Sequence, residues 1–365
     1  MGMKTKLILV GGFLGAGKTT LLGEAARRLS QTGRKVGLIT NDQASELVDT
    51  VYLEQTGTEV SEVSGSCFCC NFPGFMEAID HVNAHKPADI IIAEPVGSCT
   101  DLSATILQPL KEKFADKLSV APLSVLVDPR QLTDILDGRT AGLHPSAAYI
   151  LRKQLEEADL ILINKTDLLT PLAVEILMKR TGEEWPLASV YAISAKTGEG
   201  LAAWLHEAQQ RSGAGTHLAE VDYDTYAEGE AVLGWLNATI ELQSQGADWD
   251  ALGRNLLNSL RSRFGSLNAA IGHVKLLIAT DKGYVIGNIT GAKDSLDIRE
   301  SAGTGRQAQL TLNARVQMEP DLLEGIVKEE IAKVQADKIT ATIAVLKCLK
   351  PGRPNPTYRY GTIVG

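Results

Sequence analysis

This sequence is short of cysteine, short of histidine and short of long apolar runs, and its charge leans to one sign. Each shortage closes off a class of protein. The 365 residues include five Cys and six His. Three of the cysteines crowd together at positions 67, 69 and 70, which is no basis for the spaced pairs of a disulfide framework. Reduced thiols and a cytoplasmic setting are therefore expected. Lys4 and Lys6 followed by Leu7-Ile8-Leu9-Val10 look superficially like a signal peptide. That apolar run stops after four residues at Gly11-Gly12, too short for a signal sequence, and no other segment reads as a membrane span. A net charge of -8 argues weakly against nucleic acid as the main partner, because phosphate binding wants a basic face. The 44% hydrophobic fraction and the lack of repeats exclude a fibre or a disordered chain. The length leaves room for two domains.

The strongest positive feature is the stretch from Leu7 to Thr20. Four apolar residues of a strand run into Gly12-Phe13-Leu14-Gly15-Ala16-Gly17-Lys18-Thr19, which fits G-x-x-x-x-G-K-[ST] without a mismatch. Glycines allow successive backbone N–H groups to turn inward on a phosphate chain, since no Cβ blocks the unusual dihedrals. Lys18 then reaches the β- and γ-phosphates, and the Thr19 hydroxyl binds Mg²⁺. A helix from Thr20 aims its positive end at the same anion. Gly12, Gly15, Ala16, Gly17, Lys18, Thr19 and Thr20 are thus expected to bind a nucleoside triphosphate.

The nucleotide is narrowed further along the chain. Leu160-Ile161-Leu162-Ile163 reads as a buried strand leading into Asn164-Lys165-Thr166-Asp167. In Asn-Lys-x-Asp the carboxylate accepts from guanine N1–H and from its exocyclic amine, Asn fixes the purine edge, and the Lys stem covers the ring. Adenine would leave buried polar groups unpaired, a difference worth roughly 10⁴–10⁵ in discrimination. A further strand, Val190 to Ile193, ends in Ser194-Ala195-Lys196, a loop able to brace the base. The expected nucleotide is GTP.

Two acidic strand ends complete the nucleotide reading. Val36 to Asp42 forms a second strand, and two roles stand open for Asp42: holding an Mg²⁺-bound water, or capping the next turn. Ala88 to Gly97 reads as a buried parallel strand running into Glu94-Pro95-Val96-Gly97. Glu94 there can polarise an Mg²⁺-bound water, and the Gly97 N–H can sense the γ-phosphate. The stretch between Gln43 and Gly65, with Glu46, Asp49, Glu54, Glu59 and Glu62, shows no clean period and reads as a mobile acidic segment over the nucleotide.

Cys67-Phe68-Cys69-Cys70 carries different chemistry. Thiolates suit Zn²⁺, Cu(I) and similar ions, and C-x-C spacing brings two to one metal. Three sulfurs without a second ligand pair leave a fourth, exchangeable position, the mark of a site that loads and releases metal. The competing readings are small buried residues or a redox pair. Cys99 reads as a small packed residue, and His81 with His85 as the polar side of a helix whose apolar face is Phe75, Ala78, Ile79 and Val82.

Together, Gly12–Thr19, Cys67–Cys70, Glu94–Gly97 and Asn164–Asp167 resemble the CobW-like family of metallochaperone GTPases, relatives of the urease and hydrogenase nickel-insertion GTPases. The resemblance covers residues 4 to about 210 in motifs and the remainder in layout. It implies a metal site beside the nucleotide, loaded with GTP and Mg²⁺ bound and released to a client metalloprotein on hydrolysis. Zn²⁺ and Co²⁺ are the metals it implies, and homodimerisation around the nucleotide is common among such relatives. Two departures stand out. Asn41-Asp42-Gln43-Ala44 replaces the Asn-Glu-Phe-Gly often seen after the second strand, and a histidine-rich stretch is missing. The run Glu94 to Asp101 is also unusual.

These readings converge on an α/β P-loop NTPase domain with a mostly parallel sheet, residues 1–211, and a linker at 212–224. A smaller ferredoxin-like α+β domain at 225–365 would dock a partner. Its expected elements are strands at 232–242, 273–280, 284–290, 309–317 and 339–349 and helices at 249–263 and 321–334, with an extended tail from Pro351. Lys18, Asp42 and Glu94 would carry GTP hydrolysis, slowly, since no strong base is evident. Two other functions fit the same motifs. One is a maturation factor acting on a corrinoid or nickel enzyme as a protein–cofactor complex. The other is a nucleotide-dependent switch with a structural zinc at Cys67, Cys69 and Cys70.

Overall fold

A computed structural model describes residues 4–43, 45, 47–54, 57–84, 87–291, 296–335 and 339–365. Ala44, Glu46 and His85, which enter the readings above, lie outside the described residues. The chain packs as two units. The first holds residues 1–43, 53–229 and 353–365, the second 44–52 and 230–352.

In the first unit the apolar runs become parallel strands: β1 (Thr5–Gly12), β2 (Val36–Asp42), β3 (Glu59–Ser64), β4 (Ile90–Ala93), β5 (Leu118–Val120), β6 (Ser124–Val127), β7 (Leu160–Ile163) and β8 (Ser189–Ala192). Their order is β3-β2-β4-β1-β6-β7-β8, with β5 also beside β1, and every pairing is parallel. Parallel strands need crossovers that lay helices over both faces, so central strands must be apolar on both sides. Leu7, Ile8, Leu9 and Val10 of β1 are all fully buried, as are Leu160 to Ile163 of β7. The apolar stretch from Leu118 to Val127 is split into two strands. β5 pairs with Thr5–Leu7 and β6 with Val10–Gly12, because Pro122 between them has no N–H for the ladder.

The helices among and after these strands are α1 (Lys18–Gln31), α2 (Val48–Glu54, most of it in the second unit), α3 (Phe72–Asn83), α4 (Gln108–Lys113), α5 (Pro129–Leu136), α6 (Pro145–Glu156), α7 (Pro171–Glu184), α8 (Leu201–Gln210) and α9 (Tyr223–Ala231). Four start on a side-chain cap, among them α3, α5 and α7: Asn71 accepts from Gly74 N, Asp128 from Arg130 N, and Thr170 from Ala173 N. α1 is different. Its cap is Gly17, left-handed at φ 99°, with no side chain on its first N–H groups. The stretch expected as a linker is tied down: Asp159 accepts from Gly215 N at 2.6 Å and from Thr216 N at 2.9 Å.

The second unit contains β9 (Gly234–Asp248), α10 (Trp249–Ser266), β10 (Ile271–Ala279), β11 (Tyr284–Ile289), β12 (Asp297–Glu300), β13 (Thr304–Val316), α11 (Pro320–Gln335) and β14 (Ile339–Leu349). The antiparallel order is β12-β11-β10-β13-β9-β14. β14-β9-β13-β10 is the ferredoxin-like core, extended at one edge by two strands where one was expected. Alternation along β9 sends Leu236, Ala238, Ile240 and Leu242 to the same core as Trp249, Leu257 and Phe264 of α10 and Ile326 and Val327 of α11. Residues 44–52, expected as part of a mobile acidic cover, belong to this second unit. There Val48 packs with Leu277 and Ile286, Val48 N donates to Asn313 Oδ1 at 2.8 Å, and Asp49 pairs with Lys275 at 2.6 Å.

Candidate nucleotide and metal site

All strands of a parallel sheet end at the same edge, so residues far apart in sequence meet there. The loop after β1 begins with Gly12 at φ 130° and passes Gly15 at 78° and Gly17 at 99°. Side chains are shut out by space as well as by dihedral. A Cβ on Gly12 would lie 2.2 Å from Leu126 O, and one on Gly17 2.5 Å from Asn164 Nδ2. The loop therefore lines its concave side with backbone, at the uncapped N-terminus of α1, which is the arrangement an anion requires.

Lys18 and Thr19 are both buried and converge on one carboxylate. Lys18 Nζ lies 3.7 Å from Glu94 Oε1, and the Thr19 hydroxyl donates to Glu94 Oε2 at 3.2 Å. Lys18 Nζ also donates to Phe13 O at 3.3 Å. Glu94 is at the end of β4, the direct neighbour of β1, which is why a residue 75 positions away reaches the loop. Gly97 closes the group: a Cβ there would come within 3.1 Å of Lys18 Nζ and 2.6 Å of Leu14 Cδ2. Asp42 ends β2, two strands from β1, and is 3% exposed; its Oδ1 accepts from Gln43 N at 2.8 Å.

The loops after β7 and β8 interlock behind the phosphate loop. Asn164 Nδ2 donates to Ala16 O at 2.8 Å, and Asn164 Oδ1 accepts from Ala195 N at 2.9 Å. Lys165 adopts φ 56°, a strained value for a residue with a side chain. Its Nζ is held by Gly15 O at 2.9 Å and Asp128 Oδ2 at 2.7 Å. The Ser194 hydroxyl donates to Asp167 Oδ1 at 2.6 Å. Asn164, Lys165, Asp167, Ser194 and Ala195 are thus one connected set. Asp128, which sequence reasoning passed over, orients its lysine.

The sulfurs lie toward the other end of the sheet, in the loops after β3 and β4. Cys67 Sγ lies 3.0 Å from Cys69 Sγ, and Cys69 Sγ 3.8 Å from Cys70 Sγ. The group whose sulfurs all lie within 4.8 Å of one another is Cys67, Cys69 and Cys99, all buried. Cys99, read from sequence as mere packing, therefore joins the sulfur cluster, because the loop after β4 comes back to the loop after β3. Hydrogen bonds from Cys69, Cys70 and Cys99 hold the Cys67 thiol well below the ordinary thiol range. The same sharing with Cys67 pushes Cys69 up, and Cys70 to about 11. His81 caps no such cluster; it lies in the last turn of α3.

Asn41 is the residue that sequence reasoning missed. Buried at the end of β2, it donates from Nδ2 to Val63 O and to Ser66 O, both at 2.8 Å, and accepts from Phe68 N at 2.9 Å. It thereby clasps both sides of the cysteine turn, one residue before Asp42. Its signals in the sequence are a polar residue closing an apolar strand and the Asn that Asn41-Asp42-Gln43-Ala44 shares with the Asn-Glu-Phe-Gly of the resemblance, to which no role was given. The tail also comes back to this place. Thr357 N donates to Cys69 O at 2.8 Å, Asn355 N to Cys70 Sγ at 3.2 Å, and Arg359 pairs at 2.6 Å with Asp101, which is 1% exposed.

A glycine cradle on a parallel sheet, a lysine and a hydroxyl meeting a strand-end carboxylate, and an Asn-Lys-x-Asp loop behind them define a P-loop GTPase. The family model described as "CobW/HypB/UreG, nucleotide-binding domain" matches residues 6–191, and the chain belongs to that family. Among curated relatives it is similar to Zinc chaperone YeiR of Escherichia coli, at 29% identity over 48% of this chain and 51% of the relative. It is also similar to Zinc chaperone CobW of Sinorhizobium sp, at 28% identity over 55% and 62%. The chain thus spans between half and two thirds of the length of these relatives. Among solved structures, the Zn(II)-bound YjiA GTPase of E. coli aligns over 91% of this chain and 99% of its own, with 16% identity and a TM-score of 0.39. HypB of Helicobacter pylori in complex with nickel aligns over 60% and 92%, with 17% identity and a TM-score of 0.41. Among the described residues no helix is long and apolar enough to cross a membrane.

Proposed function

We propose that this protein is an Mg²⁺-dependent GTPase that couples GTP hydrolysis to delivery of a transition metal, Zn²⁺ or Co²⁺, to a client protein. The names of YeiR and CobW as zinc chaperones support Zn²⁺ as the cargo. The observation that carries the reading is the Asn41 clasp. A single strand end holds the cysteine turn through three hydrogen bonds and, one residue on, presents Asp42 at the sheet edge where the phosphate loop lies. Any shift of that strand end on loss of the γ-phosphate is transmitted to the sulfurs.

In this proposal Gly12, Gly15, Ala16, Gly17 and Thr20 hold the phosphate chain by backbone N–H groups, and Lys18 neutralises β/γ charge. Mg²⁺, when bound, draws charge off the phosphate oxygens; Thr19, Asp42 and Glu94 are the oxygen donors proposed to hold it, directly or through water. Gly97 reports the γ-phosphate. Asn164, Lys165 and Asp167, braced by Ser194 and Ala195, read guanine. Cys67 and Cys69 are proposed metal thiolates, with Cys70 at their rim. Turnover without metal is slow in this proposal, because the sequence offers no evident strong base. Residues 1–211 are proposed as the GTPase region, 212–224 as the connection, and 225–365 as the region that docks the client.

The test is GTP turnover at buffered free Zn²⁺ or Co²⁺, together with metal affinity in a non-hydrolysable GTP analogue and in GDP. Faster turnover with metal, and tighter metal binding in the analogue than in GDP, are expected. Turnover and affinity that ignore each other would sink the proposal, because coupling between two sites must be reciprocal.

A further inference from the structure

The sulfur cluster and the phosphate-sensing loop meet in one residue. Cys99 stands two positions beyond Gly97, yet its Sγ lies within 4.8 Å of those of Cys67 and Cys69, which arrive from a different loop. A residue that merely filled space would need no more than an apolar environment. The turn carrying Cys99 is instead fixed at every step. Cys99 N donates to Val96 O at 2.8 Å. Gln154, fully buried on α6, donates from Nε2 to Gly97 O at 3.1 Å and to Cys99 O at 2.8 Å. Asp101 is left-handed at φ 64° and is held there by the Tyr223 hydroxyl at 2.7 Å and by Arg359. Strain of this kind persists only where the surroundings over-determine it. From the other side, Asn41 fixes the turn of Cys67 and Cys69. Two loops are thus built independently to bring three sulfurs to one point, as a preorganised metal site demands.

Cys70, the last cysteine of the sequence motif, is placed differently. It is half-buried, touches Cys69 at 3.8 Å and Cys67 without joining the group whose sulfurs are all mutually close, and its sulfur accepts from Asn355 N of the tail. We propose that Cys99 supplies the third thiolate for a soft divalent cation, with Zn²⁺ the reference ion, so that the inner ligands are Cys67, Cys69 and Cys99 and Cys70 stands outside them. This inference rests on the metal-delivery reading and deepens it.

The chemistry closes without a redox step. Each of the three S–H groups gives its proton to buffer, and each sulfur gives an electron pair to the cation. Tetrahedral Zn–S bonds of about 2.3 Å hold sulfurs about 3.8 Å apart. Cys67 and Cys69 then need only open from 3.0 Å. A fourth position stays free for water or for a ligand from the receiving protein. The consequence for coupling is direct: Gly97 cannot move without carrying Cys99, since one residue separates them. Withdrawal of Gly97 from the nucleotide side removes one ligand in three.

The experiment uses the full-length protein with Cys70→Ser and Cys348→Ser, which leaves Cys67, Cys69 and Cys99 as the only cysteines. It is kept reduced and loaded with one equivalent of Zn²⁺, and the sulfurs around zinc are counted by X-ray absorption. Three sulfurs are expected, falling to two when Cys99→Ser is added. With Co²⁺ as probe, the thiolate-to-cobalt charge-transfer intensity should match that of the unsubstituted protein and then fall by about one third. Two sulfurs in the Cys70→Ser, Cys348→Ser protein would overturn the inference and leave metal delivery standing. An unsubstituted protein that takes up no stoichiometric Zn²⁺ would overturn both. Because the first count involves no change at position 99, poor folding of the triple variant cannot hide the answer.

Discussion

Asn41→Ala offers the sharpest test of the link between nucleotide and metal. The substitution deletes three hydrogen bonds at 2.8, 2.8 and 2.9 Å and leaves Val63 O, Ser66 O and Phe68 N to find other partners. At about 1 kcal/mol of net worth per bond, the turn from Ser64 to Cys70 loses about 3 kcal/mol of fixation. Phe68 keeps its stack on Phe75 at 4.2 Å between ring centroids, so the turn loosens without leaving the core. Metal binding must then re-order the turn, and 3 kcal/mol corresponds to about 10²-fold weaker affinity. Zinc affinity measured by competition with a chromophoric chelator should fall by that factor. GTP affinity should change far less, because the three hydrogen bonds of the Asn41 amide go to Val63, Ser66 and Phe68, in the cysteine turn and the strand before it. A folded Asn41→Ala protein that holds zinc within twofold of the parent would refute the clasp.

Three further outcomes follow from other parts of the structure. Gly97→Ala incurs no left-handed strain, but its methyl would press within 3.1 Å of Lys18 Nζ and 2.6 Å of Leu14 Cδ2. It should lower GTP turnover at least tenfold while thermal unfolding shows a cost of only about 1–3 kcal/mol; equal turnover would mean that Gly97 does not face the phosphates. Asp167→Asn replaces an acceptor by an amide that can donate to an oxo group, so GTP affinity should drop by about 10²-fold and xanthosine triphosphate should bind in its place. An unaltered preference for GTP would remove Asp167 from base recognition. Glu157 is fully buried, and burial lifts its carboxyl from 4.5 to about 8. Between those values the unfolded chain has lost its proton while the native protein keeps it, so native stability falls as pH rises. Glu157→Gln mimics the protonated acid against Thr100 and Ser103, and its advantage over the parent should widen by about 3 kcal/mol between pH 5 and pH 7.5. Parallel denaturation curves across that range would contradict a neutral Glu157.

The legible parts of the chain were those whose chemistry is local. Gly12 to Thr19 is one continuous turn, so its residues announce their task in order, and the structure finds the left-handed glycines where the pattern needs them. The apolar runs of β1, β4 and β7 are continuous because both faces are covered, which reads as a parallel sheet from sequence alone. The ferredoxin-like alternation of β9 was equally plain, whereas β12 was too short and polar to register. Cys99 failed to register for a different reason. Its meaning lies 30 positions away, in a turn that comes near only after β3 and β4 take their places on either side of β2. The tail likewise showed only prolines; its contacts with Cys69, Cys70 and Asp101 involve partners more than 250 residues distant.

By itself, the amino-acid sequence determined the kind of nucleotide site, the parallel sheet that carries it, and the crowding of three cysteines between the phosphate loop and Glu94. Those features depend on residue order within a few positions, where spacing maps directly onto backbone geometry. Tertiary structure alone decided which sulfurs converge, that Asn41 clasps their turn, and that residues 44–52 and 353–365 pack outside their sequence neighbourhood. Convergence at a sheet edge is set by strand order, and strand order is a property of the packed chain that no local spacing encodes.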